Sequence, residues 1–224
     1  MHSSEHSKPL PKLPSLISVS GLTGAGKSTL VKALAATIGY EALVEDVSTN
    51  PYLAQFFTDP KRYAFPLQMW FLQYRYHEYQ RVFRLIQEGE LRGCIFDRTL
   101  WDGLAFVRAL TQIGRLEPIE AQTYFQVFTI ASQNIAPPSL QLFLQCGVDV
   151  AHARIAKRGT TREENSLTLD YLEILRLEYM RLVQEWEQKK IHVVSFNAEN
   201  YVDAQQVIQR LSHHYSQVLS GSPA

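Results

Sequence analysis

Cysteine is scarce: the chain has two in 224 residues, Cys94 and Cys146, each at the end of an apolar segment. They are read as buried, reduced thiols, which fits a reducing, cytoplasmic compartment. Net charge is also absent, with 22 basic and 22 acidic residues. Without a global basic field, neither duplex nucleic acid nor an anionic membrane is expected as a partner. No run of eighteen apolar residues occurs, so no transmembrane helix is predicted. Residues 1–15 hold Ser, His, Lys and three prolines but no arginine and no apolar stretch. They read as a flexible leader rather than a secretory signal. Residues 220–224 read as a loose tail. No internal repeat or heptad run divides the remainder, so residues 16–219 are expected to form one domain.

Residues 16–29 read Leu-Ile-Ser-Val-Ser-Gly-Leu-Thr-Gly-Ala-Gly-Lys-Ser-Thr, a short apolar strand entering a glycine-rich turn. Gly21, Gly26, Lys27 and Ser28 have the spacing of the Walker A pattern. Backbone N–H groups of such a turn, with the helix N-terminus that follows, form an anion site. Gly21, Leu22, Thr23, Gly24, Ala25, Gly26, Lys27, Ser28 and Thr29 are therefore expected to wrap a nucleoside triphosphate. Lys27 is expected to reach its β- and γ-phosphates, and Ser28 to bind Mg²⁺.

Strand signals alternate with helical patterns, which predicts an α/β fold with a parallel sheet and right-handed crossovers. Strands are expected at 16–20, 41–45, 94–97, 140–145 and 191–196, most of them continuously apolar as befits a sheet covered on both faces. Helices are expected at about 27–38, 64–88, from near 99, and at 119–134, 149–157, 168–189 and 202–219. Ligands of open α/β sheets sit beyond the carboxyl ends of the strands. Three chemical segments fall there: the glycine-rich loop, Glu45-Asp46, and Asp97-Arg98-Thr99.

These segments occur in order with Asn50-Pro51-Tyr52-Leu53, Asp59 to Gln68, Arg154 to Gly159 and Leu169 to Leu172. In that order they resemble the deoxynucleoside kinases, from about residue 16 to 196. The resemblance implies a three-layer P-loop NTPase fold with five parallel strands and an arginine-bearing lid at about 154–168. It implies transfer of the ATP γ-phosphoryl to a deoxynucleoside 5′-hydroxyl, with Mg²⁺, in a homodimer paired through long helices. Glu45 matches the general base. Arg98 resembles the arginine that bonds that carboxylate and the 5′-oxygen, and Asp97 the acid held near Mg²⁺. Arg154 and Arg158 match lid arginines; four apart on a helix, they share a face. Gln68 and Arg75, two helical turns apart, resemble the residues that read the nucleobase. Phe65, Trp70, Phe71, Tyr74 and Tyr76 on the same helix are expected in the core or a dimer contact.

Three departures from the family pattern stand out. Phe57 occupies the place of a tyrosine that bonds the sugar 3′-hydroxyl, leaving that contact to Glu163 or Glu164 in the lid or to Tyr52. Gly103 stands where purine- and deoxycytidine-accepting members carry an aspartate, and Asp102 lies one residue earlier. Either Asp102 serves through a distorted helix start, or Gly103 leaves a roomier pocket. The lid reads Gly159-Thr160-Thr161-Arg162, with Arg162 as the replacement for an arginine that commonly follows the glycine.

Purine deoxynucleosides are the expected acceptors, because Gln68 and Arg75 are both kept and the Asn50–Leu53 segment resembles bacterial purine kinases. A pyrimidine or broad acceptor range is the alternative. A thymidylate-type monophosphate kinase is a further reading, but residues 40–58 hold no Lys or Arg for an acceptor phosphate. A non-catalytic nucleotide-binding subunit has no use for Lys27, Ser28, Glu45, Asp97 and Arg98 together.

Overall fold

The computed structural model describes residues 13–133, 135–158 and 167–219, with side chains to residue 212. Residues 1–12 of the leader, the tail and lid residues Gly159, Arg162, Glu163 and Glu164 lie outside the described residues.

Five strands, β1 (Leu16–Gly21), β2 (Glu41–Leu43), β3 (Cys94–Asp97), β4 (Leu140–Gln145) and β5 (His192–Asn197), form one parallel sheet in the order β2-β3-β1-β4-β5. Every residue of β1 is buried, because this central strand is covered on both faces. Side chains alternate across the sheet. Ser18, Ser20, Phe96 and Phe143 share one face through the pairings Ser18↔Phe96 and Ser20↔Phe143, while Val19 and Leu142 share the other.

Eight helices complete the described part of the fold: α1 (Lys27–Ile38), α2 (Leu53–Thr58), α3 (Pro60–Gln87), α4 (Asp102–Gln112), α5 (Pro118–Ser132), α6 (Val148–Arg158), α7 (Leu169–Gln188) and α8 (Ala204–Leu219). Helix α1 packs on β1, β2 and β3 and against α8. On the other side, α3, α4, α5 and α7 pack together, and Tyr79 and Tyr179 lay their rings against Phe96 and Phe143. The result is a three-layer α/β architecture with the core on both sides of the sheet.

Helix α3 begins four residues before the expected Ala64. Asp59 accepts a hydrogen bond from the Arg62 N–H, and Pro60 occupies the first helical turn, where no intrahelical donor is needed. Pro66 follows within the helix and does not end it. Strand β2 stops at Leu43, two residues short of Glu45, so Glu45 lies in the loop beyond the strand. Among the described residues, no helix is long and apolar enough to cross a membrane.

Candidate active site

The loop after β1 turns on glycine conformations. Gly24 has φ +88°, and a Cβ there would stand 2.4 Å from the Ala151 carbonyl oxygen. Only glycine lets the loop and α6 approach so closely. Inside the turn, the Leu22 carbonyl accepts from the Ala25 N–H at 3.2 Å and from Lys27 Nζ at 2.7 Å. Lys27 is buried. Burial, with Arg98 as the next contributor, lowers its pKa to about 7. Ser28 and Thr29 open α1 on the exposed side, and Ser28 Oγ donates to Asp97 Oδ2 at the end of β3. A hydroxyl and a carboxylate side by side suit a hard cation that takes few protein oxygens.

A cavity of about 270 Å³ begins at this loop. Thr23, Gly24, Lys27, Ser28, Asp97 and Arg98 line its phosphate-loop side. Glu45, Phe57, Gln68, Phe71 and Arg75 line it as well, together with Phe106, Arg158 and Tyr171. One pocket therefore gathers residues spread along the chain from Thr23 to Tyr171.

The Glu45 carboxylate is claimed by Arg75. Nε donates to Oε1 at 2.6 Å and Nη2 to Oε2 at 3.0 Å. Both side chains are nearly buried, at 7% and 9% exposure. Burial works against the Arg75 charge, but the carboxylate more than offsets it and holds the guanidinium above its ordinary pKa. Arg98, expected at the carboxylate, lies elsewhere. It donates to the Tyr179 hydroxyl and, at 3.4 Å, to Thr23 Oγ1, with its guanidinium 4.8 Å from the centre of the Phe106 ring. Its backbone is left-handed, φ 72°, which is unfavourable for a residue with a Cβ.

The two readings of Asp102 and Gly103 are both corrected. Asp102 is fully buried at the start of α4 and accepts from the Thr99 N–H at 2.8 Å and from the Tyr179 hydroxyl at 3.0 Å. Those bonds turn it away from the pocket. The room beside Gly103 is not open either. A Cβ on Gly103 would fall 2.1 Å from Tyr124 Oη and 3.7 Å from Arg75 Nη1, so a phenol from α5 already fills the notch.

The shared face of α6 does not deliver both arginines to the cavity. Arg158 lines it, whereas Arg154 donates to the carbonyls of Ala198 at 2.9 Å and Glu199 at 3.0 Å, and to Gly24 at 3.4 Å. Its guanidinium is satisfied by backbone. Phe71 is not solely a core residue, since it lines the pocket with the Arg75 guanidinium 5.0 Å from its ring centre. Spacing could have shown this, because Phe71 is three residues after Gln68 and four before Arg75, on one helical face. Phe65, Trp70, Tyr74 and Tyr76 do not line the cavity; Trp70 and Tyr74 stack on each other at 5.0 Å. Tyr179 and Tyr124 have no local signal, since each arrives from a distant helix, whereas Tyr171 falls in the Leu169 to Leu172 segment noted in the sequence.

Comparison with known proteins identifies the family. The deoxynucleoside kinase family profile matches residues 17–220. A deoxyadenosine kinase of Dictyostelium discoideum is 31% identical over 199 residues, covering 89% of this chain and 78% of its own. A deoxyguanosine kinase of Lactobacillus acidophilus is 32% identical, covering 77% of this chain and 73% of its own. The structure of a deoxyadenosine kinase from M. mycoides, with the products dCMP and dCDP bound, superimposes with a TM-score of 0.73 at 26% identity. That match covers 90% of this chain and 98% of the other. A P-loop that meets an acidic and an arginine-bearing strand end in one pocket is thus found where the sequence relatives are kinases of deoxynucleosides, and this chain belongs to the deoxynucleoside kinase family, enzymes that use ATP as phosphoryl donor.

Proposed function

We propose that the enzyme phosphorylates purine deoxynucleosides, with Glu45 as the general base. The observation that carries this reading is the single cavity that holds Lys27 and Ser28 together with Glu45, Gln68 and Arg75. The acceptor 5′-oxygen forms the new bond to the γ-phosphorus, the bond from that phosphorus to the β–γ bridging oxygen breaks, ADP leaves, and the hydroxyl proton passes to Glu45. Such transfer needs orientation and charge neutralisation more than covalent chemistry. Lys27 and Arg158 supply positive charge to the phosphates, and the loop N–H groups orient them. Ser28 and Asp97 would hold Mg²⁺, which screens phosphate charge when bound.

Gln68 offers a paired donor and acceptor to a nucleobase edge, and Phe71 and Phe106 offer aromatic walls. Relatives named for deoxyadenosine and deoxyguanosine support a purine acceptor. A homodimer is part of the same reading. Ile119, Ile130, Leu177 and Met180 expose large apolar side chains on α5 and α7, and sedimentation velocity tests self-association.

Replacing Glu45 by Gln keeps shape and removes the proton acceptor. The expected result is retained nucleoside binding with turnover reduced at least about a hundredfold, as for loss of a general base. Undiminished turnover overturns the base assignment. The ranking of kcat/KM over four deoxynucleosides decides the purine reading.

A further inference from the structure

Glu45 has no regular element to hold it. Strand β2 ends at Leu43, and the carboxylate stands in the loop beyond. Among the described residues its carboxylate bonds only to Arg75, accepting from Nε at 2.6 Å and from Nη2 at 3.0 Å. A bidentate pair fixes the plane of a carboxylate as well as its place. It occupies one lone pair on each oxygen, and the other stays open to a proton.

Arg75 stands on firmer ground. It lies in the middle of α3, a helix of 28 residues, with its guanidinium 5.0 Å from the ring centre of Phe71 one turn earlier. Little of that guanidinium is left for a ligand. Nε and Nη2 donate to Glu45, and Nη1 is buried, without a partner among the described residues, on the side of Gly103. A nucleobase is neutral. A guanidinium that turned to it would leave a nearly buried carboxylate without its counter-charge. Arg98 is not at hand to replace it, since it donates to Tyr179 and Thr23. Gln68 is placed differently. It lines the same cavity two turns before Arg75, and its amide makes no hydrogen bond among the described residues. Buried amides are seldom left this way, and a base edge offers the donor and acceptor that Gln68 lacks.

We infer that Arg75 is a positioning residue for Glu45, holding the carboxylate in one orientation toward the acceptor hydroxyl, and that it takes no part in reading the nucleobase. That task falls to Gln68. This inference rests on the reading of Glu45 as the base.

The test is Arg75→Lys on the full chain, with deoxyadenosine and deoxyguanosine as acceptors. Lysine keeps the charge but cannot hold both oxygens in one plane. The kcat is expected to fall at least about tenfold, by the same factor for both acceptors, as a slightly misplaced base would cause. The dissociation constants of the two nucleosides, read by calorimetry, should stay at their wild-type values. In Glu45→Gln no base remains to be positioned, so adding Arg75→Lys should not lower the residual turnover further. A raised dissociation constant for either purine makes Arg75 a reader of the base and overturns the inference. So do losses that multiply in the combined variant. Wild-type kcat in Arg75→Lys overturns it too, since the pair would then be merely structural. Should Arg75→Lys fail to fold, a crystal structure of the unaltered enzyme with deoxyadenosine bound decides. A guanidinium still on Glu45 supports the inference, and one that donates to the base overturns it. The two readings fail separately. Undiminished turnover in Glu45→Gln defeats the base assignment, whereas a crippled Glu45→Gln beside a fully active Arg75→Lys defeats the role of Arg75 alone.

Discussion

The Tyr179 hydroxyl donates to the carboxylate of Asp102 at 3.0 Å, across 77 residues of sequence. The same oxygen accepts from Arg98, whose own distance to Asp102 is 3.9 Å. A phenol thus carries an ion pair that would otherwise be too long for a good hydrogen bond. Tyr179→Phe leaves Arg98 and Asp102 buried with poorer partners. The expected loss is about 1–3 kcal/mol, read from the urea midpoint. An unchanged midpoint would mean that the two charges close on each other directly.

Lys27 is held at about pH 7, chiefly by burial, against 10.5 for the free side chain. Between those values the unfolded chain carries the proton and the folded one does not, so folding stability rises with pH across that window. Below pH 7 the lysine is charged in both states and its desolvation penalty applies in full. ATP brings the opposite charge and restores the proton. At pH 8, calorimetry in buffers of different ionisation enthalpy should show uptake of close to one proton on ATP binding. Lys27→Met should bind more weakly and abolish the uptake; uptake that persists in Lys27→Met assigns the proton to another group.

Gly24 and Gly26 have similar backbones, φ +88° and φ +93°, but different surroundings. A Cβ at 24 meets the Ala151 carbonyl at 2.4 Å, and a Cβ at 26 meets nothing within 4 Å. Gly26→Ala should therefore cost only the left-handed backbone penalty, about 1–2 kcal/mol. Gly24→Ala must also part the loop from α6 and should abolish ATP binding. Equal ATP affinities in the two variants would show that the α6 contact is dispensable.

Phe57 lines the cavity and has no hydroxyl to offer a sugar. Weak discrimination against 3′-deoxy acceptors is expected. The kcat/KM for 2′-deoxy and 2′,3′-dideoxy forms of one nucleoside should agree within about tenfold, roughly one hydrogen bond. Strong rejection of the dideoxy sugar would place a 3′-contact on another residue.

Much of the fold was legible because local signals agreed with the global arrangement. Helix α1 falls at Lys27–Ile38 and β3 and β4 at Cys94–Asp97 and Leu140–Gln145, each as read from the sequence. Strand β5 is displaced by one residue, and α3 starts early at its Asp59 cap. Short α2 was not read, since six residues give too little periodicity. The site was legible only in part. Glycine spacing marks the phosphate loop by itself. Which arginine holds Glu45 depends on packing between α3 and the loop after β2, and no local pattern encodes it. Asp102 and Gly103 were ambiguous for the same reason: the occupant of the notch, Tyr124, arrives on another helix.

The strand order β2-β3-β1-β4-β5 divides labour in space. Glu45 follows β2 and Asp97-Arg98 stand at the end of β3, whereas the carbonyls that grip Arg154 follow β5. The loop and helix start after the central strand touch both groups, through Thr23 and Ser28 on one side and Gly24 on the other. Substitutions beyond β2 therefore bear on the pocket wall at Glu45, whereas those beyond β5 bear on the backbone that anchors α6, so the two flanks of the sheet are free to vary separately.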